Sequence, residues 1–172
     1  MIKKKICLLG SFAVGKTSLT RRFVDGIFAD TYLSTIGVKV DKKTVVVDGE
    51  EVALIIWDVA GEDEFEKVRQ SYLQGMAGYL LVVDGTRKGT LSTALSIHQR
   101  VEAESGPLPF LLLINKSDLA EEWEIDNATI GSLTARGYQV METSAKEKTG
   151  VDEAFLALTT NILNGKCDSL QS

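Results

Sequence analysis

Cysteine, proline and histidine are scarce in this sequence, a basic excess is missing, and no apolar run is long enough to span a membrane. The two cysteines, Cys7 and Cys167, form no disulfide framework or zinc spacing, so a reducing, cytoplasmic setting is expected. Cys7 stands in the apolar run Ile6-Cys7-Leu8-Leu9 and reads as a core thiol. The first residues lack the apolar core of a secretory leader, and no run approaches the ~18 residues of a membrane helix. With 19 basic against 24 acidic side chains, the net charge of −5 argues against a nucleic-acid partner, which needs a basic face. The densest basic run, Lys3-Lys4-Lys5, is read as a solvated strand end. The single histidine, His98, has no partner cluster in sequence and is expected on a helix surface. Asn127-Ala128-Thr129 is a glycosylation sequon, which carries no meaning in a cytoplasmic protein.

What is present fits one domain: 172 residues bury a core without staples. Apolar runs at residues 6–9, 52–57, 78–83, 110–114 and, more weakly, 138–141 are continuous rather than alternating, as in strands covered on both faces. Between them lie helical periods. Val151, Phe155, Leu158 and Ile162 mark one face of a closing helix, and Leu91, Leu95, Ile97 and Val101 mark another. Strand–helix alternation predicts a mostly parallel sheet with helices on both faces. One break stands out. Residues 38–47 run through Asp48-Gly49 into residues 52–57, a hairpin signal that predicts one antiparallel edge strand. The two prolines, Pro107 and Pro109, lie in the loop before Phe110.

Gly10-Ser11-Phe12-Ala13-Val14-Gly15-Lys16-Thr17 satisfies G-x-x-x-x-G-K-[ST], between a predicted strand and a predicted helix over residues 16–24. Gly10 and Gly15 permit the tight path. Backbone N–H groups from Ala13, Val14, Gly15, Lys16, Thr17 and Ser18 are then available to phosphate oxygens at a helix N-terminus. Lys16 supplies charge to β- and γ-phosphates, and Thr17 offers a hydroxyl to Mg²⁺. Asp58-Val59-Ala60-Gly61 ends a strong strand. Asp58 can hold the Mg²⁺ shell, and the Gly61 N–H can approach a γ-phosphate.

Asn115-Lys116-Ser117-Asp118 closes the run at 110–114. A carboxylate there accepts from the paired N1–H and 2-amino donors of guanine, which adenine lacks. Leaving it unpaired against ATP costs discrimination on the order of 10⁴. Lys116 can lay its stem along the base. In Glu142-Thr143-Ser144-Ala145-Lys146, the Ala145 N–H can donate to guanine O6. Each string ends a predicted strand, where ligands bind in open α/β sheets.

With these strings in this order, residues 5–164 resemble the Ras superfamily of small GTPases. The resemblance implies an α/β P-loop NTPase of the Ras-like type: six strands, mostly parallel, with the second antiparallel, and five flanking helices. It spans residues 1–165 as a G domain, with residues 166–172 a short polar tail. It implies GTP or GDP with Mg²⁺, and Mg²⁺-dependent hydrolysis between two states. Phe28 matches the aromatic beside guanine. Tyr32 and Thr35 match switch I, about residues 30–38, and residues 61–73 match switch II. Thr17, Thr35 and Asp58 are the implied metal set. Ser144, Ala145 and Lys146 join Asn115, Lys116 and Asp118 at the base. Lys16, Thr35 and Glu62 are the implied catalytic residues. The string Ser34-Thr35-Ile36-Gly37-Val38, with Trp57, most resembles the Rab branch. An effector, an exchange factor and an activating protein are the implied partners, acting on a monomer.

Four departures limit the carry-over. Glu62 replaces the usual glutamine and Phe12 a usual small residue. Val40 replaces an aromatic that forms a triad with residues matching Trp57 and Tyr72. Cys167 precedes five residues, so it forms neither a C-a-a-X box nor a terminal cysteine pair, and no direct lipid anchor is expected. An ionised Glu62 accepts from water but donates nothing to phosphate, which predicts slow hydrolysis. As a better proton acceptor it can also serve as base. Phe12 is expected to hinder an arginine supplied by a partner. The plainer alternative has both residues facing solvent without a role. Two other functions compete with the GTPase switch: a module that holds GTP without hydrolysing it, and a small-molecule P-loop kinase. The base-reading strings speak against the kinase.

Overall fold

The computed structural model describes residues 1–24, 32–33, 38–59 and 70–165. Strands β1 (Ile2–Gly10), β2 (Tyr32–Leu33), β3 (Val38–Val47), β4 (Glu50–Val59), β5 (Met76–Asp84), β6 (Phe110–Asn115) and β7 (Val140–Thr143) form one sheet in the order β2-β3-β4-β1-β5-β6-β7. The strands from β4 to β7 pair in parallel through β1, and β3 runs antiparallel to β4. These are the six strands expected, with β3 as the antiparallel one; the two-residue β2 extends the edge antiparallel to β3. The flanking helices are α1 (Lys16–Phe23), α2 (Gln70–Leu73), α3 (Gly89–Ser105), α4 (Asn127–Ala135) and α5 (Val151–Leu163).

Alternate residues of each central strand serve opposite layers. Ile6, Leu8, Leu80, Val82, Leu111 and Leu113 face α1 and α5, where Phe23 stacks on Phe155 at 4.0 Å. Cys7, Leu9, Leu81, Val83, Leu112 and Ile114 pack with Leu91, Ala94, Ile97 and Val101 of α3. Burying each large apolar side chain stabilises the fold by about 1.5–3 kcal/mol, so this double-faced pattern explains why the runs are unbroken. Burial also pushes the Cys7 thiol up to about 12, which leaves it inert. The hairpin turn is Asp48-Gly49, with φ of 51° and 80°, the geometry of a two-residue turn with both central residues left-handed.

Three sequence expectations need correction. The last strand begins at Val140, not Tyr138; the Tyr138 ring instead turns into the core, edge-on to Phe110 at 5.8 Å. Lys5 is not a free solvated end: its Nζ donates to the Gln74 carbonyl at 2.8 Å and lies 3.8 Å above the Trp57 ring. His98 is not on the helix surface but 3% exposed. Its Nδ1 meets the Tyr79 hydroxyl at 2.7 Å, its Nε2 lies 3.1 Å from Glu102, and its ring packs on Phe110.

Candidate functional site

The loops after β1, β5, β6 and β7 and the last residues of β4 converge at one end of the sheet. The first, residues 10–15, bends sharply against two neighbours. A Cβ on Gly10 would strike the Val82 carbonyl of β5, and one on Gly15, at φ +105°, would strike Asn115 Nδ2. Glycine at both positions is therefore a packing requirement as well as a conformational one. Val14 is fully buried, so only its backbone faces the site, whereas Phe12 is 64% exposed at the loop tip.

Lys16 opens α1 and is buried; its Nζ donates to the Gly10 and Ser11 carbonyls at 3.0 and 2.9 Å. Burial lowers its pKa to about 8, with the nearby Asp58 charge opposing. Thr17 Oγ1 donates to Asp58 Oδ2 at 2.5 Å. Burial raises the Asp58 pKa, while this hydrogen bond and the Lys16 charge oppose the rise. A hydroxyl, a carboxylate and an ammonium thus meet at the end of β4.

A cleft of about 610 Å³ continues from Gly15 and Ser18 to Lys116, Asp118, Ala145 and Lys146. Asn115, 2% exposed, spans its floor: Nδ2 donates to the Val14 carbonyl at 3.0 Å, and Oδ1 accepts from Thr143 Oγ1 at 3.1 Å. Lys116 has φ +71°, and its Nζ reaches Asp84 at 2.8 Å and the Ala13 carbonyl at 3.3 Å. Asp118 Oδ1 accepts from Ser144 Oγ at 2.7 Å. The structure therefore brings together Gly10, Ala13, Val14, Gly15, Lys16, Thr17, Ser18, Asp58, Asn115, Lys116, Asp118, Ser144, Ala145 and Lys146. Tyr32 is described only through its backbone, opposite Val40 at the sheet edge. Phe28, Thr35, Gly61 and Glu62 lie outside the described residues. Among the described residues no group of three or more His, Cys, Asp or Glu is placed to hold a metal ion.

Several contributors were missed in the sequence. Arg22 of α1 donates from Nε to the Ala145 carbonyl at 2.7 Å and from Nη2 to the Lys146 carbonyl at 3.1 Å, fixing the last loop. Asp84 ends β5 and binds Arg87 as well as Lys116. The available signal was that Asp84-Gly85 ends an apolar run, as Asp58 does. Trp123 anchors its loop, donating from Nε1 to the Lys116 carbonyl at 2.8 Å. Val40 stands opposite Trp57 in the β3–β4 ladder, and both pack against the cluster containing Tyr72.

A glycine-bounded loop leading into a helix, at the carboxyl end of a parallel sheet, defines a P-loop α/β nucleotide-binding protein. Residues 5–164 match the Ras family. The GTP-binding protein YPTM1 of Zea mays is 36% identical over 167 residues, covering 96% of this chain and 80% of that protein. The Ras-related protein Rab-1C of Dictyostelium discoideum is 35% identical over 160 residues, covering 92% of this chain and 80% of that one. The chain belongs to the Ras family, as a divergent Rab-like member.

Proposed function

We propose that this chain works as a GTP-hydrolysing switch whose cleft holds guanine nucleotide with Mg²⁺ through the residues described above. Family membership makes it a GTP-binding switch and a GTPase; the residue roles are the proposal. The observation that carries them is a cleft running from Gly15 and Ser18 to Asp118, which Ser144 holds, with Lys16, Thr17 and Asp58 gathered where the phosphate loop meets the end of β4.

The donor set fits the ligands. A Cβ on Gly10 or Gly15 would strike the Val82 carbonyl or the Asn115 amide, so glycine permits the tight loop path that leaves backbone N–H groups for phosphates. Thr17 and Asp58 would hold Mg²⁺, with Thr35 joining them in the GTP state. Bound Mg²⁺ supplies charge that offsets the β- and γ-phosphates. Lys16 leaves its loop carbonyls for those phosphates, a stronger charge-assisted partner. Asp118 reads the guanine edge, kept in line by the Ser144 hydroxyl, while the Ala145 N–H meets O6. The Lys116 stem and Phe28 flank the base. Tyr32, Thr35 and Gly61 close over the γ-phosphate, and Glu62 handles the attacking water.

This function occupies a G domain of residues 1–165, followed by the polar tail 166–172. Residues 30–38 and 61–73 change order with nucleotide state and present the surface for an effector, an exchange factor and an activating protein. The chain works as a cytoplasmic monomer without a nucleic-acid partner. No helix among the described residues is long and apolar enough to cross a membrane. Single-turnover hydrolysis of pre-bound GTP, with Mg²⁺ and with a chelator, tests the proposal. Slow conversion to GDP that stops on chelation is expected. Retention of intact GTP over hours would favour a module that only holds it, and failure to bind any guanine nucleotide would overturn the reading.

A further inference from the structure

We infer that Asp84 is a positioning residue that sets how long the chain retains its nucleotide, by bracing two phosphate-loop carbonyls through Lys116 and Arg87. This rests on the guanine-nucleotide reading above and assigns a role to Asp84 and Arg87, which that reading does not use.

Asp84 ends β5 opposite Asn115 in the β5–β6 ladder, with its side chain 1% exposed. Its two carboxylate oxygens do different work. Oδ1 accepts from the Thr86 N–H at 2.9 Å and the Thr86 hydroxyl at 2.7 Å, a local turn that a neutral acceptor would serve equally well. Oδ2 accepts from Lys116 Nζ at 2.8 Å and Arg87 Nε at 3.0 Å. Both cations then reach the phosphate loop: Lys116 Nζ donates to the Ala13 carbonyl at 3.3 Å, and Arg87 Nη2 to the Phe12 carbonyl at 2.9 Å. One buried carboxylate therefore governs two consecutive peptide groups from two different loops.

In a planar trans peptide the N–H points opposite the preceding carbonyl. Fixing the Phe12 and Ala13 carbonyls toward Arg87 and Lys116 therefore aims the Ala13 and Val14 N–H groups the other way. Those are two of the donors offered to phosphate. Ala13 holds φ +60°, a conformation that a residue with a Cβ adopts only when its surroundings impose it. The guanidinium suits this duty because its planar fork joins a carboxylate and a carbonyl with two nitrogens at once. Burial alone would raise the Asp84 pKa; the hydrogen bonds from Lys116, Thr86 and Arg87 outweigh it and hold the group at about 2. A fully charged buried carboxylate adds little to folding over an apolar core, so its placement is better explained by the loop it orients.

The test measures dissociation of fluorescently labelled GDP from the full chain in excess unlabelled GDP, with thermal melting in parallel. Asp84→Asn keeps an acceptor for Thr86 but presents an amide to two cations, and should release GDP on the order of tenfold faster. Arg87→Ala, at a half-exposed position, keeps the fold and should release it about threefold faster. Arg87→Lys keeps the charge and should recover part of that loss. In the doubly substituted chain the Arg87 effect should vanish, because its anchor is already gone. Wild-type release by Asp84→Asn, or effects of the two substitutions that simply multiply, would overturn the inference while leaving the guanine-nucleotide reading intact. A wild-type chain that holds no GDP would overturn both.

Discussion

The Asn115 amide occupies the space that a side chain on Gly15 would need. The strand β6 and the phosphate loop are thus fitted to each other, with the Val14 carbonyl and Thr143 hydroxyl taking the two ends of the amide. Asn115→Ala leaves both partners short of a buried hydrogen bond, which costs about 1–3 kcal/mol. A fall in melting temperature of several degrees and weaker GDP binding are expected. Unchanged values in both measurements would remove the proposed tie.

Asp118 Oδ1 accepts from the Ser144 hydroxyl at 2.7 Å at the far end of the cleft. Asp118→Asn should shift preference from guanine toward xanthine nucleotides, because an amide can donate to the added carbonyl. Competition among GTP, XTP and ATP reads this directly. Equal wild-type affinity for GTP and ATP would refute the assignment.

His98 is buried, which lowers its pKa, while the Glu102 carboxylate opposes the shift. The unfolded chain titrates near ~6.5, so below neutrality it binds more protons than the native state. The stability contribution of neutral His98 is present above that value and lost as pH falls through the depressed one. Thermal melts from pH 8 to pH 5 should show a steeper loss for the wild type than for His98→Gln. Parallel curves would assign the acid sensitivity elsewhere.

Glu62 lies outside the described residues, so its expected role rests on its chemistry. Hydrolysis should be slow yet depend on it, with Glu62→Ala about tenfold slower or more in single turnover. Glu62→Gln shows which opposing effect prevails: a faster variant means the missing donor was limiting, a slower one that the carboxylate serves as base. Glu62→Ala at wild-type speed would take Glu62 out of the mechanism.

Legibility followed burial. The central strands β1, β4, β5 and β6 were legible because both faces are covered, which demands unbroken apolar runs. Helix α4, one of the five helices the resemblance implied, was not located by period, since Leu133 is its one buried side chain. The phosphate loop and Asp118 were readable because their chemistry is local to a few consecutive residues. His98 was misread because Tyr79 and Phe110, which enclose it, come from other strands. Asp84 passed unnoticed for the same reason: it earns its place only when Lys116 and Arg87 arrive from elsewhere.

The ladder between β3 and β4 runs from Val38 opposite Val59 to Val47 opposite Glu50, closed by the two-residue turn Asp48-Gly49. Inserting or deleting one residue inside either strand would turn the remainder over, carrying Val45 from the core into solvent or Ile56 onto the opposite face of the sheet. The same change at the turn merely lengthens an exposed tip. Descent within this lineage should therefore record its gains and losses of residues at positions 48–49, while the lengths of the two strands stay constant between species.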